Sequence, residues 1–206
     1  MSTSKVLLFA ALMLCLPLAA FANSTVDFGY SGGMLSTPTN SYITTGPIGS
    51  TLTSVSGYNG GGIITGSNLG TITFTTGARI SGGMGNATFA AGGSIVITAN
   101  GTGGLPAGVL FTGTFTSTST LSQGITSGGL YYYTVSGTIS GTFSNGQTVS
   151  GQLLTISVSS RQPFHGSIGI SSGSATVVTP EPGTLSLLGT GLIGLAGMIR
   201  KKLIAS

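Results

Sequence analysis

The stretch Tyr131–Ser160, YYYTVSGTISGTFSNGQTVSGQLLTISVSS, decides the fold. Its residues Tyr131, Tyr133, Val135, Ile139 and Phe143 fall on alternate positions, with Gly at 137 and 141 in the same series and Tyr132, Thr and Ser between them. A period of two puts every second side chain on one face, which is the pattern of a half-buried strand. Midway stands Asn145-Gly146, a dipeptide that accepts positive φ at both central positions of a type I′ turn. A two-residue turn there pairs Ser144 with Gln147. Counting outward sets Tyr133 against Val158, Val135 against Ile156 and Gly137 against Leu154, all on one side of the sheet. The same count sends Val149 and Leu153 to the opposite side with Thr138 and Thr142, so Leu153-Leu154 is either buried on both faces or a bulge. The stretch reads as a hairpin central to the core.

Moving outward, Ile72 and Phe74, then Val109, Phe111 and Phe115, repeat the alternation. No helical repeat interrupts Asn23 to Thr179, and glycines punctuate the runs at short spacing. The body therefore reads as all-β, a Gly/Ser/Thr-rich antiparallel β-sandwich or barrel of about ten strands. Composition agrees: Gly, Ser and Thr supply 97 of the 206 residues, and charged residues are 4% against 40% hydrophobic. That balance excludes a coiled coil and a highly charged disordered chain. Glycine brings no side chain to bury, so moderate stability is expected. Strands with few charges also lack edge gatekeepers, which predicts covered edges or self-association.

The net charge of +4 is concentrated at the ends. Lys5, Arg200, Lys201, Lys202 and Glu181 lie in the terminal segments, leaving Asp27, Arg79 and Arg161 to the body. Two arginines cannot neutralise a run of phosphates, so nucleic acid is excluded as a partner.

The first 22 residues read as a secretory signal peptide: Lys5, the uncharged run Val6 to Leu18, then Ala20 and Ala22 at the two positions a signal peptidase reads. Cleavage after Ala22 removes Cys15, the single cysteine, and leaves a chain without disulfide or thiol chemistry. Residues 23–179 form the exported β-domain. At the other end Pro180-Glu181-Pro182 precedes Leu185 to Ile199, which is uncharged, and Arg200-Lys201-Lys202. The prolines hold Glu181 extended and readable. The uncharged run, about 22 Å long as a helix, is a marginal transmembrane helix. The basic triplet is its cytoplasmic stop.

Thr179-Pro180-Glu181-Pro182-Gly183-Thr184, the Leu/Gly-rich span and the terminal Arg-Lys-Lys together resemble the PEP-CTERM sorting signal of Gram-negative bacteria. The resemblance covers residues 180–206. It implies processing by an exosortase, a membrane-embedded cysteine transpeptidase or protease, and an exopolysaccharide or biofilm-matrix setting. The expected route passes through an inner-membrane intermediate with the body outside the cytoplasm, and ends at the cell surface or extracellular matrix. Gly183 stands where a serine is common, and Leu203 to Ser206 extend beyond the basic residues. The resemblance speaks for sorting only, since bodies attached to this signal share no single activity.

For the body the leading expectation is a structural or adhesive protein that is not an enzyme and uses no cofactor or metal. Asp27, His165 and a serine could form a triad on paper, but no Gly-x-Ser-x-Gly elbow frames a nucleophile. His165 reads as a loop residue after Pro163, and a hydrolase using it is a remote alternative. Paired carboxylates are absent from the body, and one imidazole with one carboxylate completes no metal shell. Thr112, Thr114, Thr116, Thr118 and Thr120 are expected on one strand face, about 6.7 Å apart, with a plain solvated surface as the main reading. Tyr132 points opposite to Tyr131 and Tyr133, and an exposed phenol can stack on a sugar. A carbohydrate-binding module with Tyr132 in contact, serving exopolysaccharide, is the second expectation.

Overall fold

The computed structural model describes residues 24–37, 42–45, 49–83, 85–126 and 128–179. The expected signal peptide (1–22) and sorting segment (180–206) lie outside the described residues. So do Ala20, Ala22, Pro180, Glu181, Pro182, Arg200, Lys201 and Lys202.

The hairpin forms from β10 (Tyr131–Phe143) and β11 (Thr148–Ser160). Tyr133 faces Val158, Val135 faces Ile156 and Gly137 faces Leu154, as counted from the sequence. The turn itself is different. Gly146 N–H donates to the Phe143 carbonyl (2.9 Å) and Phe143 N–H to the Gln147 carbonyl (2.9 Å), so Ser144, Asn145 and Gly146 form a three-residue loop. Gly146 alone carries positive φ in that loop (85°), which is the left-handed position such a loop requires, and the type I′ turn is corrected. The extra loop residue shifts the pairing by one near the turn, where Gly141 faces Val149. A bulge at Gly151 (φ 65°), between Ser150 and Gln152, cancels the shift. Val149 is consequently buried rather than turned outward, Leu153 is half exposed, and Leu154 is buried. Of the two readings of Leu153-Leu154, neither holds there: the pair is not buried on both faces, and the bulge lies at Gly151.

The other strands are β1 (Ser24–Ser31), β2 (Met34–Ser36), β3 (Ser50–Ser56), β4 (Ile64–Thr76), β5 (Arg79–Gly82), β6 (Ala87–Phe89), β7 (Gly93–Asn100), β8 (Ala107–Phe115), β9 (Ser119–Ile125), β12 (Ser167–Gly169) and β13 (Ser172–Thr179). Eight of them close in the order β1-β3-β4-β7-β8-β10-β11-β13, with β13 beside β1. Of the two expected architectures, the antiparallel barrel is the one formed. Closure pairs every wall strand on both sides, so the barrel wall offers no open edge along these pairings.

The barrel forks at β10. One edge pairs with β11 along its length; the other pairs with β9 over Tyr131–Ser136 and with β8 over Ile139–Phe143. From β9 the sheet continues through β6 to β5. The five threonines expected on one strand face are split by this fork. Thr112 and Thr114 lie on β8, Thr116 and Thr118 in the corner, and Thr120 on β9. At the corner Ser117 Oγ bonds to Thr138 Oγ1 (2.6 Å), and Thr116 N–H donates to the Thr138 carbonyl (2.9 Å). β8 also carries a bulge against β7, which turns Val109 outward while Leu110 and Phe111 are both buried. The expected grouping of Val109 with Phe111 and Phe115 is corrected accordingly.

The barrel is filled, with Phe28, Leu52, Ile72, Phe74, Ile97 and Ile156 among its buried side chains. Burying each such aliphatic or aromatic side chain contributes about 1.5–3 kcal/mol. Near the hairpin loop Phe143 meets Phe111 (centroids 4.6 Å apart) and Tyr58 (6.3 Å). Two hydrogen bonds latch the loop to the Tyr58–Gly60 turn: Tyr58 Oη to Ser144 Oγ (2.6 Å), and Asn145 Nδ2 donating to Asn59 Oδ1 (2.5 Å). Both bonds are made from the three-residue loop. Among the described residues no helix is long and apolar enough to cross a membrane.

Candidate functional site

Three successive tyrosines on β10 meet three environments. Tyr133 points into the barrel and is fully buried, Tyr131 packs partly against the core, and Tyr132 stands outside at 45% exposure. Burial raises the pKa of the Tyr133 phenol, Tyr131 adds to the rise, and a backbone hydrogen bond at Phe164 opposes it. The outward direction of Tyr132 follows from strand alternation and was legible in the sequence.

Cross-strand register gives Tyr132 its neighbours. Gly124 on β9, Tyr132 on β10, Ser159 on β11 and Ser172 on β13 form one outward rank. Ser122, Thr134, Ser157 and Ser174 form the next. Every outward residue in these two ranks other than Tyr132 is therefore Gly, Ser or Thr. A methyl added at Gly124 would meet the Tyr132 ring at 2.0 Å from Cζ, so the phenol occupies the space a side chain on β9 would fill. On the β11–β13 side Tyr132 walls a shallow open groove of about 320 Å³, lined by Ser157, Val158, Ser159, Ser172, Gly173 and Ser174. Ser159 Oγ and Ser172 Oγ are bonded to each other at 2.7 Å.

The floor of the groove is held from inside the barrel. Gly173 leaves room for the Tyr30 ring, which lies 2.3 Å from where a Cβ at that position would stand. The Tyr30 hydroxyl donates to the Ser157 carbonyl at 3.1 Å. Burial pushes the Tyr30 phenol far above the ordinary tyrosine range. The outer serines thus sit on a wall whose backbone is tied to a buried side chain. Neither the groove nor this support was anticipated, because the sequence does not reveal that β13 lies against β11.

The remaining candidate groups are dispersed. Asp27 on β1 accepts a hydrogen bond from Thr176 Oγ1 at 2.6 Å, on the barrel wall. His165 is exposed between buried Phe164 and Gly166, in the segment joining β11 to β12. Arg79, at the start of β5, lines a hollow of about 10 Å³ with Tyr42, Phe89 and Phe164, room for one water at most. Among the described residues no group of three or more His, Cys, Asp or Glu could hold a metal ion.

The Thr176–Asp27 bond also locates the ends of the barrel. It joins β13 to β1 three residues before Thr179 and three after Ser24, so in this antiparallel wall the two strand ends share one rim. Thr179 is buried, and Pro180 follows it without a spacer.

Searches of the curated proteins and of the solved structures find no match to this chain. The family model of the PEP-CTERM protein-sorting motif matches residues 178–201, so the chain carries, from the end of β13 onward in sequence, a signal that marks exported proteins for exosortase processing and sorting to the cell surface.

Proposed function

We propose that this protein is a non-enzymatic surface or extracellular-matrix component, structural or adhesive, in an exopolysaccharide or biofilm setting. A signal peptidase acting after Ala22 and an exosortase acting near Pro180-Glu181-Pro182 would cut its two tethers. The sorting motif carries this reading, and the barrel supports it. The strand ends Ser24 and Thr179 share one rim, and cuts after Ala22 and near Pro180-Glu181-Pro182 would fall outside every wall strand. The body presents hydroxyls rather than charges outside, with Asp27, Arg79 and Arg161 its charged residues. Such a surface stays hydrated and neutral beside polysaccharide, whereas an acid–base reaction needs titratable groups within reach of one another.

The test is fractionation of the native host expressing either the natural chain or a Pro180→Ala, Glu181→Ala, Pro182→Ala triple variant. The natural chain is expected in the surface or matrix fraction, and the variant in the inner-membrane fraction with its C-terminal segment uncut. Equal release of both would overturn the exosortase reading.

A further inference from the structure

We propose that the groove between Tyr132 and the β11–β13 serines is a binding site for a neutral oligosaccharide. This rests on the reading of the body as an exported adhesive protein and names the chemistry it would adhere to. Three observations meet there. Tyr132 is a large aromatic side chain left 45% exposed among two outward ranks otherwise made of Gly, Ser and Thr. A sugar ring offers C–H groups to an aromatic face and hydroxyls to the surrounding donors and acceptors, which is the pairing this patch provides. The ring is also placed in advance: its outer end lies over Gly124, where any larger residue on β9 would displace it. On the other side the groove measures about 320 Å³, room for one or two sugar rings, at the lower end of small-molecule sites.

The lining chooses among ligands. Serine hydroxyls both donate and accept, as sugar hydroxyls do. No Lys, Arg, Asp or Glu lines the groove, so nothing there would pay the desolvation of a uronate or phosphate. The ranks run across β10, β11 and β13 rather than along one strand, which suits a chain of sugar units lying across the strands. A peptide adding itself as a strand fits less well, since the strands beneath are already paired on both sides.

The experiment is isothermal titration of the protein purified from its host with cellohexaose, mannohexaose, chitohexaose and maltohexaose as neutral probes, and an alginate hexamer as the acidic one. Binding of at least one neutral probe is expected. Tyr132→Ala should weaken it roughly tenfold or more, and Tyr132→Phe should retain most of it. Gly124→Ala, which pushes the ring from its seat without touching the groove, should weaken it as well. Ser174→Leu fills the floor and leaves Tyr132 and Gly124 in place, so it decides the matter if Tyr132→Ala proves unfolded by circular dichroism. Failure of every neutral probe, binding confined to alginate, or equal affinity in folded Tyr132→Ala and Ser174→Leu would overturn the proposal. Concentration-dependent sedimentation that Tyr132→Ala abolishes would overturn it too, by assigning the groove to a second copy of the chain. Surface fractionation of Tyr132→Ala separates the two readings: normal sorting with no sugar binding removes the groove proposal and leaves the sorted-protein reading standing.

Discussion

The two edges of β10 solve the same problem in different ways. Along one edge β11 runs past Tyr131–Thr142 with a single interruption, the Gly151 bulge. Along the other, β8 and β9 share the length and are joined by a corner at Thr116–Thr118. On β11 each inward position beyond the bulge from Leu154 to Val158 is apolar and buried, so burial holds the strand in register. Through the corner the outward threonines continue, but the alternate positions after Phe115 become Ser117, which is exposed, and Ser119, which is buried on β9. Hydroxyl bonds to Thr138 hold the chain there instead of a buried side chain. An alternating pattern makes a continuous strand only while both halves of the alternation persist.

The largest expected effect follows from that contrast. Ile156→Ala, at a fully buried position opposite Val135, should cost about 2–5 kcal/mol. Thr118→Ala, exposed in the corner, should stay within about 0.5 kcal/mol. Urea denaturation of the two variants checks the difference, and equal losses would mean that the corner is as firmly specified as the hairpin.

Next in size is a pH effect on the same wall, where β11 and β13 are tied to Tyr30. The unfolded chain ionises this phenol near its ordinary value of 10.0, while burial keeps it protonated in the barrel. The unfolded state therefore binds fewer protons above that point, and stability falls as pH rises through it, by about 1.4 kcal/mol per pH unit per buried phenol. Thermal melts should be insensitive to this group at neutral pH and decline above pH ~10. Tyr30→Phe should soften the decline.

The smallest is Gly151→Ala. Its added Cβ meets nothing within 4 Å, so the cost is the left-handed backbone alone (φ 65°), about 1–2 kcal/mol. A loss near zero would show that the bulge has moved or gone.

These same residues show what could be read in advance. Val135 against Ile156 followed from alternation and one turn signal, yet the count was right because two departures cancel: the loop holds one residue more than a type I′ turn, and Gly151 adds one more on β11. Local propensity saw Asn145-Gly146 but not Tyr58 and Asn59, whose bonds to Ser144 and Asn145 come from a turn 86 residues away. Val149 and Val109 were placed on the wrong face for one reason: a bulge reverses parity without marking the hydrophobic pattern. Tyr132 was legible as outward, since its neighbours fix it. The groove beside it required knowing that β13 pairs with β11, a contact that depends on closure of the whole barrel. The sorting segment needed no tertiary information, because its order of prolines, apolar run and basic residues is linear.

The proposed cuts after Ala22 and near Pro180-Glu181-Pro182 would leave a closed barrel with all its wall strands. Intact-mass measurement of the mature protein from its native host tests this most directly. It predicts a chain beginning at Asn23 and ending near Glu181, with β1 and β13 both complete, and any added mass would report what the exosortase attached. A chain extending through Ser206 would contradict it, leaving a barrel still anchored to the membrane.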